Sequence, residues 1–106
     1  MTELTSPEQL DEVFQLDLVV IFKHSGRCPI SRGARSEVER FIQEMPDIPV
    51  YLVDVIHNPA VSRSVAERTG IRHESPQTIV LRSGSVIWHA SHYDVTKAAI
   101  RENLAA

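Results

Sequence analysis

Cysteine occurs once in these 106 residues, at Cys28. A lone cysteine closes no internal disulfide, so the chain is not a disulfide-stapled scaffold. A free thiol is best kept in a reducing compartment, which makes the expected location the cytoplasm. An excess of positive charge is also missing: 11 basic residues stand against 14 acidic ones, for a net charge of −3. That balance leaves no basic footprint for nucleic acid and no basic face for a membrane surface. No apolar run approaches the roughly 18 residues that span a bilayer. The opening Met1-Thr2-Glu3-Leu4 is acidic and lacks the apolar core of a signal peptide. Repeats, linkers and low-complexity stretches are absent. With few apolar positions expected at the surface and a net negative charge, a monomer is expected.

What is present suits one compact domain over residues 1–106, 42% hydrophobic and long enough to bury a core. Helix and strand signals alternate along it. Ser6-Pro7-Glu8-Gln9 supplies an N-cap serine, a proline at the first helical position and a glutamine to close a capping box. Leu10, Val13 and Phe14 follow on one helical face. Leu18-Val19-Val20-Ile21-Phe22 is a run without polar alternation, as in a central strand covered on both faces. Lys23-His24-Ser25-Gly26-Arg27 is expected to be a loop, leading into Cys28-Pro29.

Ala34, Val38, Phe41, Ile42 and Met45 form the apolar stripe of a helix of about four turns, which Pro46 ends. Residues 49–55 predict a second buried strand. Asn58-Pro59 repeats the cap-then-proline signature and opens a helix that closes near Gly70. Thr78–Leu81 and Ser85–Trp88 are expected to pair as a hairpin around Arg82-Ser83-Gly84. Asp94 or Thr96 can cap a last helix running to about Leu104.

The resulting order is α-β-α-β-α-β-β-α. Strands joined through a helix run parallel, whereas the closing hairpin is antiparallel. The expected fold is therefore α/β and thioredoxin-like, a four-stranded mixed sheet with helices on both faces.

Cys28 falls between the end of a strand and the first turn of a helix. Helix N-termini carry unpaired N–H groups and about half a positive charge, which favour an anionic sulfur. Pro29 fits the first turn, where its missing N–H costs no hydrogen bond. Lys23, His24 and Arg27 lie close in sequence and can add positive potential. Lone cysteines are commonly small buried hydrophobes, but the polar flank His24–Arg27 argues for exposure here. Ser31 stands where a dithiol oxidoreductase carries its second cysteine. Without that cysteine, a mixed disulfide on Cys28 must be released by an external thiol. Two roles are open to the Ser31 hydroxyl: donating to the thiolate, or satisfying a nearby backbone group. Ser75-Pro76 stands just before the third predicted strand, where a thioredoxin-like domain places a cis-proline facing its cysteine. In that geometry the backbone of Ser75 pairs with a bound disulfide or peptide.

Together, Phe22-Lys23-His24-Ser25, Cys28-Pro29-Ile30-Ser31, Arg72-His73-Glu74-Ser75-Pro76-Gln77 and Trp88-His89-Ala90-Ser91-His92 resemble the monothiol bacilliredoxin family. The likeness extends from the first helix to the last. It implies removal of bacillithiol, a low-molecular-weight thiol, from S-bacillithiolated client proteins. Cys28 would be the catalytic thiol, supported by Lys23, Pro29 and Ser31. Ser75, Pro76, Arg27 and His73 would contact substrate. Bacillithiol would be a co-substrate, with no resident cofactor. Arg27 can meet a carboxylate-bearing thiol or remain solvated, and His73 can approach Cys28 if its loop folds over it.

His24, His57, His73, His89 and His92 invite a metal reading. Zinc needs three or four converging ligands, and neither CxxC nor HExxH is present, so no metal is expected. The rival function is a thioredoxin-like interaction module in which Cys28 is incidental. Iron–sulfur transfer is disfavoured by Cys-Pro-Ile-Ser where monothiol glutaredoxins carry Cys-Gly-Phe-Ser.

Overall fold

In a computed structural model that describes residues 1–105, five strands form one sheet in the order β1-β3-β2-β4-β5. The strands are β1 (Thr2–Glu3), β2 (Leu18–His24), β3 (Val50–Asp54), β4 (Gln77–Arg82) and β5 (Ser85–Ser91). The helices are α1 (Leu10–Val13, entered through a 3-10 turn at Pro7–Gln9), α2 (Pro29–Glu44), α3 (Pro59–Thr69) and α4 (Lys97–Glu102). β2 and β3 run parallel across the α2 crossover, and β4 pairs antiparallel with both β2 and β5. The sheet is mixed, as expected, but has five strands rather than four. The extra strand, β1, is two residues long and pairs Thr2 with Tyr51 and Glu3 with Leu52. So short a segment has no periodicity to read.

Strand alternation divides the core. Val20, Phe22 and Val80 face Ala34, Val38 and Phe41 of α2 and Ile100 of α4. Val19, Ile21, Ile79 and Leu81 face Leu10 and Val13 of α1 and Val61 and Val65 of α3. Helices therefore cover both sides of the sheet, and β2 is buried along almost its whole length.

Local signals set the element ends. Gln9 Oε1 accepts from the N–H groups of Thr5 (2.7 Å) and Ser6 (3.2 Å), fixing the first turn. Gly70 ends α3 in the left-handed region at φ 72°. Of the two proposed caps for α4, Thr96 is used: its Oγ1 accepts from Ala99 N–H at 3.1 Å. Asp94 lies in the preceding 3-10 turn, His92–Asp94.

Two strand boundaries differ from expectation. β5 runs on to Ser91, past Trp88, because Gln77 in β4 still pairs with Ser91. β2 continues through Lys23 and His24, which were expected in a loop. Lys23 pairs with Val53 and His24 with Asp54, and His24 C=O accepts from Val55 N–H at 3.0 Å. Among the described residues, no helix is long and apolar enough to cross a membrane.

Candidate functional site

Four residues separate the end of β2 from α2, and they form a tight turn. Cys28 N–H donates to Ser25 C=O at 3.1 Å, and Cys28 C=O accepts from Arg32 N–H at 3.1 Å. Cys28 is thus the N-cap of α2, with extended backbone (φ −100°, ψ 121°) and Pro29 at the first helical position. It is half-buried, while Gly26 and Arg27 on its flank are exposed. Ser31 is fully buried one helical turn on. Its Oγ accepts from Ser25 N–H at 3.2 Å, so it braces the turn that carries Cys28. Of the two roles open to Ser31, the structure displays the backbone one.

His24 lies beneath this turn rather than in it. It is 6% exposed, packs its ring 5.7 Å from that of Phe22, and leaves Nδ1 without a hydrogen-bond partner. Burial, and secondarily Arg35, hold its pKa below the usual histidine value. The polar identity of His24 suggested solvent, but the sheet and α2 enclose it.

The Ser75–Pro76 bond is cis. The β2–β4 ladder ends at the Lys23–Gln77 pair, so Pro76 falls beyond it, next to the end of β2 that leads to Cys28. Pro76 is buried and Ser75 half-buried, with the Ser75 Oγ lacking a partner. Pro76 C=O accepts from His92 N–H at 2.8 Å. His92 adopts φ 57°, a conformation uncommon outside glycine. His92, Tyr93 and Val95 line an apolar groove of about 320 Å³, and Pro29, Ile30 and Ala34 of α2 form its other wall. Tyr93 is 80% exposed at the rim. The groove thus links the first turn of α2 to the segment bonded to Pro76. His92 and Tyr93 were not singled out as site residues in the sequence, although His92 closes the last of the family-like blocks.

The remaining expected residues fall elsewhere. Lys23 Nζ donates to Ser62 C=O at 3.0 Å and contacts His73 Nδ1 at 3.2 Å. Alternation puts it on the α1–α3 side of the sheet, the face away from α2. Its bonds therefore go to α3 and the 70–76 loop rather than to the Cys28 turn. Burial lowers its pKa from 10.5 to about 8. His73 also meets Ser62 Oγ, at 3.1 Å from Nδ1, and its pKa is lowered by burial and then by Lys23. An ammonium can only donate, so Nδ1 accepts and the neutral imidazole carries its proton on Nε2. Among the described residues, no group of three or more His, Cys, Asp or Glu side chains could hold a metal ion.

A mixed α/β sheet with one cysteine at the start of its principal crossover helix, and a cis-proline at the adjoining strand entry, defines a thiol-redox protein of thioredoxin fold. The solved structures agree. The chain superposes on a protein described as a candidate oxidoreductase with a thioredoxin fold, with a TM-score of 0.90 and 29% identity, covering 96% of this chain and 91% of that one. Thioredoxin from Fasciola hepatica aligns with a TM-score of 0.79 and 19% identity, over 98% of this chain and 96% of that one. Thioredoxin from Trypanosoma brucei brucei aligns with a TM-score of 0.80 and 20% identity, over 98% and 87%. At these identities the two thioredoxins speak to the fold alone. The family model described as monothiol bacilliredoxin BrxC matches residues 2–100, and the chain belongs to that family.

Proposed function

We propose that this protein removes bacillithiol from S-bacillithiolated client proteins by thiol–disulfide exchange at Cys28, with bacillithiol as co-substrate and no resident cofactor. The observation that carries this reading is the pairing of Cys28 at the α2 N-cap with Ser31, which occupies the resolving position and braces the Cys28 turn.

The Cys28 thiolate attacks the bacillithiol sulfur of the client's mixed disulfide. That S–S bond breaks, its electron pair leaves on the client sulfur, and the client thiolate takes a proton from solvent. Cys28 now holds bacillithiol in a new disulfide. With serine at position 31 there is no internal thiol to attack it. A low-molecular-weight thiol from solution attacks the bacillithiol sulfur instead, leaving as the oxidised disulfide and returning the Cys28 thiolate. Negative charge on the sulfur in both steps is favoured by its place at a helix N-terminus. The Ser75 backbone, beyond the end of the β2–β4 ladder, is free to align the disulfide. The groove between Pro29, Ile30 and Tyr93 receives the client's apolar flank. Arg27, exposed next to Cys28 in the chain, would meet a carboxylate of bacillithiol. The protein would act as a monomer in the cytoplasm, where the reducing thiol pool regenerates it.

The test is intact mass after incubating the reduced protein with oxidised bacillithiol and, separately, oxidised glutathione. The expected result is one adduct, preferentially bacillithiol, absent from Cys28→Ser. A protein that takes no adduct, and whose Cys28 alkylates no faster than free cysteine, would be an interaction module instead.

A further inference from the structure

Lys23 and Gln77 stand opposite one another in the antiparallel β2–β4 ladder, and cross-strand partners share a face. Both are polar and buried: Lys23 is 0% exposed and Gln77 1%. Buried lysines are ordinarily paired with a carboxylate. The hydrogen-bond partners of this one are a carbonyl oxygen, on Ser62, and a neutral imidazole nitrogen, on His73. Such an arrangement is poor for stability, because an apolar side chain of similar length would fill the space without desolvating a charge. What the lysine adds is a fixed place for His73.

Gln77 does the same one residue earlier. Its Nε2 donates to Arg72 C=O at 3.1 Å and reaches Ser91 Oγ at 3.4 Å. Only the amide nitrogen can face a carbonyl oxygen, so the orientation of the side chain is set by that contact. Two cross-strand neighbours thus grip two consecutive residues, Arg72 and His73, from the interior. Neither residue belongs to a helix or strand. The segment they begin runs through Glu74 into Ser75 and Pro76, and Pro76 is in turn bonded to His92 at the groove. Ser62 of α3 adds to the grip: its Oγ lies 3.1 Å from the same His73 Nδ1 that Lys23 reaches.

We propose that Lys23 and Gln77 are positioning residues for disulfide exchange: anchoring Arg72 and His73 from the far face of the sheet, they hold the backbone of Ser75 where a substrate disulfide can pair with it. This rests on the reading of Cys28 as the exchanging thiol. It differs from an electrostatic role for Lys23, because the lysine acts on the substrate-presenting segment and leaves the sulfur alone.

Lys23→Met and Gln77→Met keep side-chain length and remove the anchoring donors. Three quantities are measured on each: backbone amide 15N order parameters of residues 72–75, the iodoacetamide alkylation rate of Cys28, and the KM and kcat for a cysteine peptide carrying bacillithiol in disulfide linkage. The expected result is lowered order parameters at 72–75 and a KM raised about tenfold, the size expected from losing one buried hydrogen bond, with kcat and alkylation unchanged. If 72–75 stays as ordered as in wild type and KM stays the same, the anchor is overturned. Alkylation falling in step with turnover overturns it too, since Lys23 would then act on the thiol. Gln77→Met decides alone if Lys23→Met does not fold. A wild-type protein that takes no bacillithiol overturns the exchange reading and the role in exchange with it, while the amide measurement still decides whether the anchor exists.

Discussion

Ser31 Oγ accepts a hydrogen bond from Ser25 N–H at 3.2 Å, tying the first turn of α2 to the start of the loop that carries Cys28. The serine that replaces a resolving thiol therefore has a structural duty. Ser31→Ala leaves the Ser25 N–H without its partner in a half-buried place, and should lower unfolding free energy by about 1–2 kcal/mol. Urea denaturation measures this directly. Ser31→Cys should instead permit an internal disulfide with Cys28 and transfer the resolving step from an external thiol to the protein itself. Mass spectrometry would then show loss of two hydrogens with no bacillithiol retained.

Much of the fold was legible because its signals are local. Pro7 with Gln9, Pro59 and Gly70 mark helix ends through groups that act within one turn. Asn58, expected as a cap, makes no side-chain cap bond, and its amide reaches Glu3 Oε2 at 3.4 Å instead. The apolar stripe from Ala34 to Met45 identifies α2 by period alone. The end of β2 was hidden for the opposite reason. Lys23 and His24 look like loop residues, and what holds each in the sheet is remote: Lys23 meets Ser62, 39 positions away, and His73, 50 away, while His24 pairs with Asp54 of β3. No window of sequence contains those partners. The thiol, the serine and the proline were visible as a motif, whereas the groove wall formed by His92 and Tyr93 depends on the hairpin folding back beside α2.

The hairpin turn makes a second prediction. Ser83 and Gly84 adopt φ 49° and 81°, both left-handed, as a two-residue hairpin turn requires. A Cβ on Gly84 would lie 2.8 Å from Phe14 C=O, while one on Gly70 (φ 72°) meets open space. Gly70→Ala should therefore cost about 1 kcal/mol from backbone conformation alone. Gly84→Ala adds a backbone clash and should cost clearly more, about 2–3 kcal/mol. Equal losses in thermal unfolding would contradict the close approach of Phe14.

Tyr93 allows the groove to be tested without disturbing the core. At 80% exposure it contributes little to packing, so Tyr93→Ala should change stability by less than about 0.5 kcal/mol. If client segments lie along the groove beside Pro29 and Ile30, the same change should slow exchange with a bacillithiolated protein several-fold. Exchange with oxidised bacillithiol, which lacks a polypeptide flank, should not change. A parallel loss on both substrates would place Tyr93 in contact with the small thiol instead.

Lys23 supplies a pH signature of its own. Burial holds its pKa at about 8, against 10.5 for the free side chain. Between those values the unfolded chain binds a proton that the folded chain does not. Unfolding then takes up protons, and stability rises as pH increases. Below about pH 8 both states are protonated and the contribution is flat, at its least favourable level. The full span corresponds to about 3 kcal/mol at 1.36 kcal/mol per unit. Lys23→Met removes the titrating group, so its stability relative to wild type should be greatest near neutral pH and decline as pH approaches 10. Other titrations in this range are common to both proteins and cancel in the difference. Urea denaturation of the pair from about pH 7 to about pH 10 measures that difference, and a gap independent of pH would mean that the folded protein keeps the Lys23 ammonium charged throughout.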